Sequence, residues 1–102
     1  MFNIEKTSEF DKWLRKLRDR KARALILVRI QRIQESGNFG DCESVGSGVS
    51  ELRIHYGKGY RIYFNEVNGN LILLLIGGDK SGQQNDIKKA KLILAKYKRD
   101  RK

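Results

Sequence analysis

The sequence predicts an α+β fold in the order βααβββα, with two N-terminal helices packed on a small, mainly antiparallel sheet and a third helix at the C-terminus. Apolar residues recur at helical spacing in residues 8–36 and 85–98. Between residues 49 and 76, apolar residues instead alternate or run continuously, as they do in strands. A chain of 102 residues is long enough to bury roughly two thirds of its unfolded surface, so we expect a single domain over residues 1–102.

The N-terminal half is predicted to contain a short strand and two helices. Phe2-Asn3-Ile4 is typical of a strand, and Ser8 is expected to cap the helix that follows, from which Trp13 anchors the core. After a break at Asp19-Arg20, a second helix is predicted over residues 21–36, ended by Gly37. The inner stripe of this second helix is expected to be Ala22, Ile26, Ile30 and Ile33.

The C-terminal half is predicted to contain three strands and a helix. Glycine and polar residues make residues 38–48 an irregular loop, and Asn68-Gly69-Asn70 is a strong hairpin signal. Residues 71–76 are apolar without alternation, so this strand should lie inside the sheet with both faces covered. Residues 77–82 are expected to form a flexible junction before the last helix. The predicted strands are 49–56, 59–67 and 71–76, and the last helix is 85–98 with Ile87, Ala90, Leu94 and Tyr97 facing inward.

The first two of these strands carry the main candidate site. Because side chains in a strand alternate between faces, Arg53, His55, Arg61 and Tyr63 are expected to gather on one open face. Guanidinium groups hold phosphate oxygens with a fixed fork, and imidazole changes its charge near neutral pH, so the cluster suits a phosphodiester. An alternative remains open, in which Arg53 pairs with Glu51 or another acid and His55 has no role. The opposite, core-facing set is Leu52, Ile54, Tyr56, Tyr60, Ile62 and Phe64.

The segment Gly77-Gly78-Asp79-Lys80-Ser81 is a second candidate. It lacks the GxxxxGK[ST] spacing of a nucleotide-binding loop, so a nucleoside triphosphate site is excluded. Its glycines follow the apolar strand, and Lys80 is therefore positioned to reach toward the face that carries Arg61. An exposed lysine without function is the alternative for Lys80.

The net charge of +10 indicates an anionic partner, and basic helices, strand arginines and a basic tail over residues 96–102 together favour nucleic acid over a merely solvated surface.

No stretch approaches the roughly 20 apolar residues of a membrane span, and the N-terminus lacks a signal-peptide pattern. Cys42 is the single cysteine, which fits a reducing cytoplasm. One Cys and one His do not make a zinc site, so we expect neither metal nor cofactor. The residues expected to bind the nucleic acid are Lys58, Arg53, Arg61, Lys98 and Arg99.

Several motifs resemble the RelE/ParE toxin superfamily, and within it the phage-derived, HigB-like addiction module killer proteins. The resemblance covers nearly the whole chain, and the combination of motifs is specific although each one is short. It implies a small curved sheet with two N-terminal helices packed on it. The motifs are Glu51-Leu52-Arg53, Gly59-Tyr60-Arg61-Ile62-Tyr63, the apolar strand with Gly77-Gly78-Asp79-Lys80-Ser81, and then Asp86-Ile87 and Ala90.

The resemblance implies the toxin of a type II toxin–antitoxin system, neutralised by an antitoxin protein encoded nearby. Many members act at the ribosome as mRNA interferases and inhibit translation, and the branch resembled here looks like these nucleases. A metal-independent endoribonuclease is therefore expected, with Arg61, Arg53 and Lys80 as ligands of the phosphate or transition state. A gyrase-inhibiting toxin of the ParE type and a basic nucleic-acid-binding module are the alternatives.

The residue that transfers protons is left open by the sequence. RelE-type nucleases often carry a Tyr or His near the C-terminus for this step, whereas Tyr97 is predicted to face the core here and the tail is basic. The candidates for proton transfer are therefore Lys80, His55 and Tyr63.

Overall fold

The computed structural model describes residues 1–100 and confirms the α+β architecture; Arg101 and Lys102 of the basic tail lie outside the described residues. The strands are β1 Asn3–Lys6, β2 Cys42–Gly46, β3 Val49–Ile54, β4 Tyr60–Val67 and β5 Leu71–Asp79. The helices are α1 Ser8–Lys16, α2 Arg20–Ser36 and α3 Gln83–Asp100, the last preceded by a 3₁₀ turn at Lys80–Gly82. The strands form one sheet in the order β1-β5-β4-β3-β2, in which only the β1–β5 pairing is parallel.

Two polar side chains define how the N-terminal helices begin. Thr7, rather than the predicted Ser8, caps α1: its hydroxyl accepts from the backbone N–H of Phe10 at 3.0 Å and donates to the carbonyl of Leu75 at 2.7 Å. Asp19 caps α2 by accepting from the backbone N–H of Ala22 at 3.0 Å. The predicted break at Asp19 is thus the start of the next helix. Gly37 ends α2 as predicted, in the left-handed conformation that glycine adopts readily.

The sheet separates two apolar clusters. On one face, α1 and α2 cover the predicted core set of β3 and β4, and the cluster includes Phe10, Ala22, Ile26 and Ile33, all fully buried. On the other face, α3 covers β4 and β5 with Ala90, Ile93 and Leu94, while Ile87 and Tyr97 pack at the margin of this cluster. Strand β5 lies inside the sheet and contributes to both clusters, as its unbroken apolar run predicted.

Two sequence predictions for the connecting segments were wrong. Residues 42–46, predicted as loop, form strand β2 because this segment pairs with β3. Residues 77–79, predicted as part of a flexible junction, complete strand β5, where Gly77, Gly78 and Asp79 pair with β4. In both cases glycine and polar residues adopt a strand because a neighbouring strand supplies the hydrogen-bond partners that local propensity does not reveal.

Candidate functional site

Arg53 and Arg61 lie directly opposite each other on β3 and β4. Their side chains project from the face of the sheet that α3 covers, since Tyr63, two residues from Arg61, belongs to the α3-side cluster. Gly78 of β5 is the next register partner of Arg61. The predicted placement of the two arginines on one face is therefore correct, and this end of the sheet is the floor of the candidate site.

Tyr63 is not on an open surface, which corrects the expectation that the whole cluster is exposed. Its side chain is completely buried beneath α3, and its hydroxyl donates to Glu51 Oε2 at 3.1 Å. Burial, followed by the negative charge of Glu51, raises the pKa of Tyr63 well above its ordinary value. A phenol held in this way stays protonated and does not reach a bound substrate. The burial of Tyr63 was not predictable from the strand pattern, because alternation tells which face of the sheet a side chain is on but not whether a helix covers that face.

Glu51 joins the sheet to the start of α3. The carboxylate is fully buried and accepts from Tyr63, from Arg53 Nε at 3.1 Å and from Gln83 Nε2 at 2.8 Å. Three donors satisfy a buried charge that would otherwise be costly. This network fixes Gln83, the first residue of α3, against β3 and β4.

Arg53 is held by carboxylates, as the alternative for this residue anticipated. Besides Glu51, its guanidinium forms ion pairs with Glu43 and, at 3.6 Å, with Asp41. The hydrogen bonds that Arg53 donates to Glu43 and Glu51 raise its pKa, so its charge is permanent but is already balanced. Asp41 and Glu43 lie in or beside strand β2, the strand that the sequence did not predict. The structure thus makes Arg53 a residue that organises the site rather than a free anion ligand.

His55 lies beside this group and is largely exposed. Its Nε2 is 2.5 Å from Asp41 Oδ2, and 73% of its side-chain surface is accessible. The hydrogen bond from His55, aided by the charge of Arg53, lowers the pKa of Asp41. His55 is therefore accessible to a substrate, but it already has a carboxylate partner.

A cleft of about 360 Å³ lies at this end of the sheet, and of the cations predicted from sequence it contains Lys58, Arg61 and Lys80 but not Arg53. Lys80 is brought to it because its backbone N–H donates to the carbonyl of Lys58 at 3.3 Å. Glycine at position 59 leaves room for the Lys80 side chain, because a Cβ added to Gly59 would lie only 3.3 Å from the Cβ of Lys80. The residues lining the cleft are His55, Tyr56, Gly57, Lys58, Gly59, Arg61 and Lys80.

Arg61 differs from Arg53 because none of its side-chain nitrogens has a hydrogen-bond or ion-pair partner within residues 1–100. Its Nε is buried without a partner, whereas the side chain as a whole is only partly buried. A guanidinium in this state has unused donors that an anionic ligand in the cleft can satisfy. Arg61, with Lys58 and Lys80 beside it, is the part of the predicted site that is arranged to receive a phosphate.

The glycine pair of β5 has a packing role on both faces of the sheet. A Cβ on Gly77 would lie 2.3–2.5 Å from three ring atoms of Trp13, which covers this position from α1. A Cβ on Gly78 would lie 2.0 Å from Oδ2 of Asp86, which approaches from α3. The sequence singled out the two glycines but not the residues that need them. No pattern in the sequence marked Gln83 as part of the site either.

Lys98 and Arg99 lie at the far end of α3, away from the cleft. They are 12 and 13 residues beyond Asp86, which is roughly 18–20 Å along a helix. The Lys98 ammonium instead approaches the β2–β3 turn, 4.0 Å from where a Cβ on Gly48 would lie, and Arg99 Nε is 3.9 Å from Asp100. Any contact that these two residues make with RNA is therefore separate from the cleft.

The described part of the chain has neither a metal-binding cluster nor a membrane-spanning helix. Across residues 1–100, no three His, Cys, Asp or Glu side chains are grouped so that they could hold a metal ion. None of the three helices has the length and apolar character that crossing a membrane requires.

The sheet order and the placement of its helices are those of the RelE fold. The chain superimposes on E. coli RelE in the intact RelBE toxin–antitoxin complex with a TM-score of 0.65 at 15% identity, covering 78% of this chain and 96% of that chain. For the isolated E. coli RelE toxin the TM-score is 0.64 at 14% identity, with 87% and 98% covered. Identities this low establish the fold, which is the fold that the sequence motifs implied.

Sequence similarity places the chain in a family within this class. Residues 12–98 match the family described as phage-derived Gp49-like proteins. An uncharacterized protein of Haemophilus influenzae is 54% identical over 90 residues, which is 88% of this chain and 90% of the relative. The chain therefore belongs to the Gp49-like phage-derived family, and the resemblance to the RelE/ParE superfamily seen in its motifs is confirmed.

Proposed function

We propose that this protein is the toxin of a type II toxin–antitoxin system and that it acts as a metal-independent endoribonuclease on mRNA at the ribosome. The observation that carries the proposal is Arg61, a guanidinium with no partner in the described residues, at a cleft that also holds Lys58 and Lys80. Membership of the Gp49-like family and the RelE fold support the toxin assignment.

The chemistry follows from the cations and from RNA itself. RNA carries its own nucleophile, the 2′-hydroxyl, which attacks the adjacent phosphorus once the two are aligned. Negative charge then develops on the phosphorane oxygens, where Arg61 donates hydrogen bonds and Lys80 adds positive charge. Alignment of the message by the ribosome provides part of the rate enhancement, which accounts for a nuclease with so few exposed reactive groups.

The remaining predicted residues take supporting roles in this proposal. Arg53 and Tyr63 hold Glu51, which ties β3 and β4 to the start of α3, so they support the strands that carry the site without touching RNA. His55 and Lys80 are accessible, and either can protonate the 5′-oxygen as it leaves. Lys58 and the basic residues of α3 supply electrostatic attraction to the RNA backbone, which should weaken as salt is raised.

An antitoxin partner is part of the proposal. The RelE structure with the same fold was solved in an intact complex with its antitoxin, RelB. The protein has a net charge of +10, so we expect the antitoxin to inhibit it with an acidic or amphipathic segment that binds across the basic surface.

The test is cell-free translation with purified protein, followed by primer extension on the mRNA. Wild-type protein should cut only message that is being translated, and Arg61→Ala should reduce cleavage about 10²–10³-fold, because one donor to the developing charge is lost. The matched control is Arg32→Ala, which removes the same charge from an exposed position on α2 and should cut normally. Circular dichroism should show both variants folded.

Other outcomes separate the alternatives. Intact message accompanied by DNA damage would favour a gyrase-inhibiting toxin and overturn the nuclease. Salt-dependent RNA binding without growth arrest would indicate a plain nucleic-acid-binding module. A folded Arg61→Ala protein with full cleavage activity would reject the role of Arg61.

A further inference from the structure

Asp86, in the first turn of α3, places its carboxylate directly against the backbone of β5. Its Oδ2 lies 2.0 Å from the position that a Cβ on Gly78 would occupy, and 3.1 Å from the corresponding position on Gly82. Only glycine at residue 78 allows this approach. The carboxylate is therefore seated in a space that two glycines keep open for it.

The same space is next to Arg61. Gly78 and Arg61 are register partners on neighbouring strands, and the Cβ positions of such partners are about 4.5–5.5 Å apart. Because Asp86 Oδ2 is 2.0 Å from the Gly78 Cβ position, the carboxylate lies within roughly 7–8 Å of the Cβ of Arg61. Lys80 leaves the end of the same strand two residues later. Asp86 thus lies beside the group that we expect to hold the phosphate.

The environment of Asp86 differs from that of Glu51. Glu51 is fully buried and has three donors, whereas Asp86 is partly buried and no hydrogen bond or ion pair to its side chain occurs in residues 1–100. Desolvation, and then the negative charge of Asp79, raise the pKa of Asp86, while Lys89 opposes the shift. The other ionisable groups on this side are the Tyr63 hydroxyl, which the charge of Asp86 affects, and Arg61, the register partner of Gly78. A carboxylate with free acceptor positions and raised basicity is suited to accept a proton.

We infer that Asp86 is a catalytic residue that accepts the proton of the attacking 2′-hydroxyl; this inference rests on the nuclease function proposed above. In this step the 2′-oxygen forms a bond to phosphorus as its proton passes to an Asp86 oxygen. The bond from phosphorus to the 5′-oxygen breaks, and that oxygen takes a proton from Lys80 or His55. The products are a 2′,3′-cyclic phosphate and a 5′-hydroxyl, with no oxidant, metal or further reactant required.

The experiment measures single-turnover cleavage of mRNA on programmed ribosomes, with toxin in excess, as a function of pH. Wild-type cleavage should slow as the pH falls and the Asp86 carboxylate becomes protonated. Asp86→Asn, which has the same shape, should cleave about 10²–10⁴-fold more slowly and lose this acid-side dependence. Its affinity for the ribosome should be unchanged, since a proton acceptor contributes to the chemical step. Asp11→Asn, which changes a half-exposed carboxylate on α1 paired with Lys6, is the matched control and should behave as wild type.

A second variant reaches the same carboxylate from the other side. Gly78→Ala places a methyl carbon 2.0 Å from the present position of Asp86 Oδ2, so it should displace the carboxylate. The backbone of residue 78 stays unstrained, because Gly78 does not have a positive φ. Gly78→Ala should slow cleavage in the wild-type background but add little to Asp86→Asn, since the two changes act on one group.

Each outcome bears on a specific claim. If wild-type protein cleaves and Asp86→Asn cleaves with the same rate and pH dependence, the role of Asp86 is rejected while the nuclease function stands. If wild-type protein does not cleave translated or free RNA, the proposed function fails and the role of Asp86 fails with it. Additive effects of Gly78→Ala and Asp86→Asn would also reject the assignment, because the glycine would then be acting through something else.

Discussion

Glu51→Ala is expected to destabilise this protein far more than the removal of any exposed carboxylate. Glu51 has no exposed surface and accepts hydrogen bonds from Arg53, Tyr63 and Gln83. Without it, the fully buried Tyr63 hydroxyl loses the acceptor that it has in the folded state. The change therefore leaves buried polar groups unsatisfied in addition to removing side-chain packing.

The loss of unfolding free energy in Glu51→Ala depends on which of the three donors can form other hydrogen bonds. The Tyr63 hydroxyl does not reach water, and an unsatisfied buried group of this kind costs about 1–3 kcal/mol. Arg53 keeps Glu43 and Asp41, and Gln83 is partly exposed, so together they add less. A total of about 2–4 kcal/mol results, which lowers the midpoint of thermal unfolding by about 10–30 °C for a domain of this size.

The assay is urea denaturation followed by circular dichroism, with Glu43→Ala as the control. Glu43 contacts the same arginine, but 60% of its side chain is exposed, and exposed ion pairs contribute about 0–1 kcal/mol. Adding Tyr63→Phe to Glu51→Ala should recover part of the loss, because phenylalanine needs no acceptor. If Glu51→Ala costs no more than Glu43→Ala, the argument from burial and unsatisfied donors is refuted.

Two further predictions concern α1 and α3. Gly77→Ala should destabilise the fold by about 1–3 kcal/mol, because the new methyl group meets the rigid Trp13 ring. Gly78→Ala should lower the free energy of unfolding by less in the same urea series, because its methyl group meets only the end of the Asp86 side chain. Equal losses for the two variants would contradict this account. Asp86→Asn should raise the temperature midpoint of unfolding at neutral pH, where the wild-type carboxylate is charged. Folding raises the pKa of Asp86, so the protonated carboxyl stabilises the fold fully below the unfolded pKa, and this contribution is lost as the pH rises through the folded pKa. The difference from wild type should shrink as the pH falls toward about 4, and a pH-independent difference measured by thermal unfolding would be inconsistent with this linkage.

Much of the fold was predictable because its signals are periodic and local. The 3.6-residue pattern of α2 and the Gly37 stop gave that helix nearly to the residue, and alternation gave the faces of β3 and β4. Strand β2 was missed because its composition resembles a loop, and it is a strand only through pairing with β3. Missing β2 also meant missing the ion pair between Glu43 and Arg53, because Glu43 lies in this strand.

Alternation also fails at one position inside β5. Tyr63 pairs with Ile76, but Phe64 pairs with Leu74, so Leu75 is an extra residue in the ladder. This bulge reverses the alternation beyond it and directs Gly77 toward Trp13 and Gly78 toward Asp86. Without the bulge, Asp86 would not meet a glycine beside Arg61.

The sequence by itself determined the order of elements, the two apolar faces and the placement of Arg53 and Arg61 on one side of the sheet. Those properties depend on residue type and spacing, which the chain carries locally. Only the tertiary structure decided that Arg53 is balanced by carboxylates, that Tyr63 is buried, and that Arg61 is left with unused donors beside Asp86. The state of a charged or polar side chain depends on which distant groups fold against it, and that is fixed by strand pairing and helix packing rather than by the local pattern.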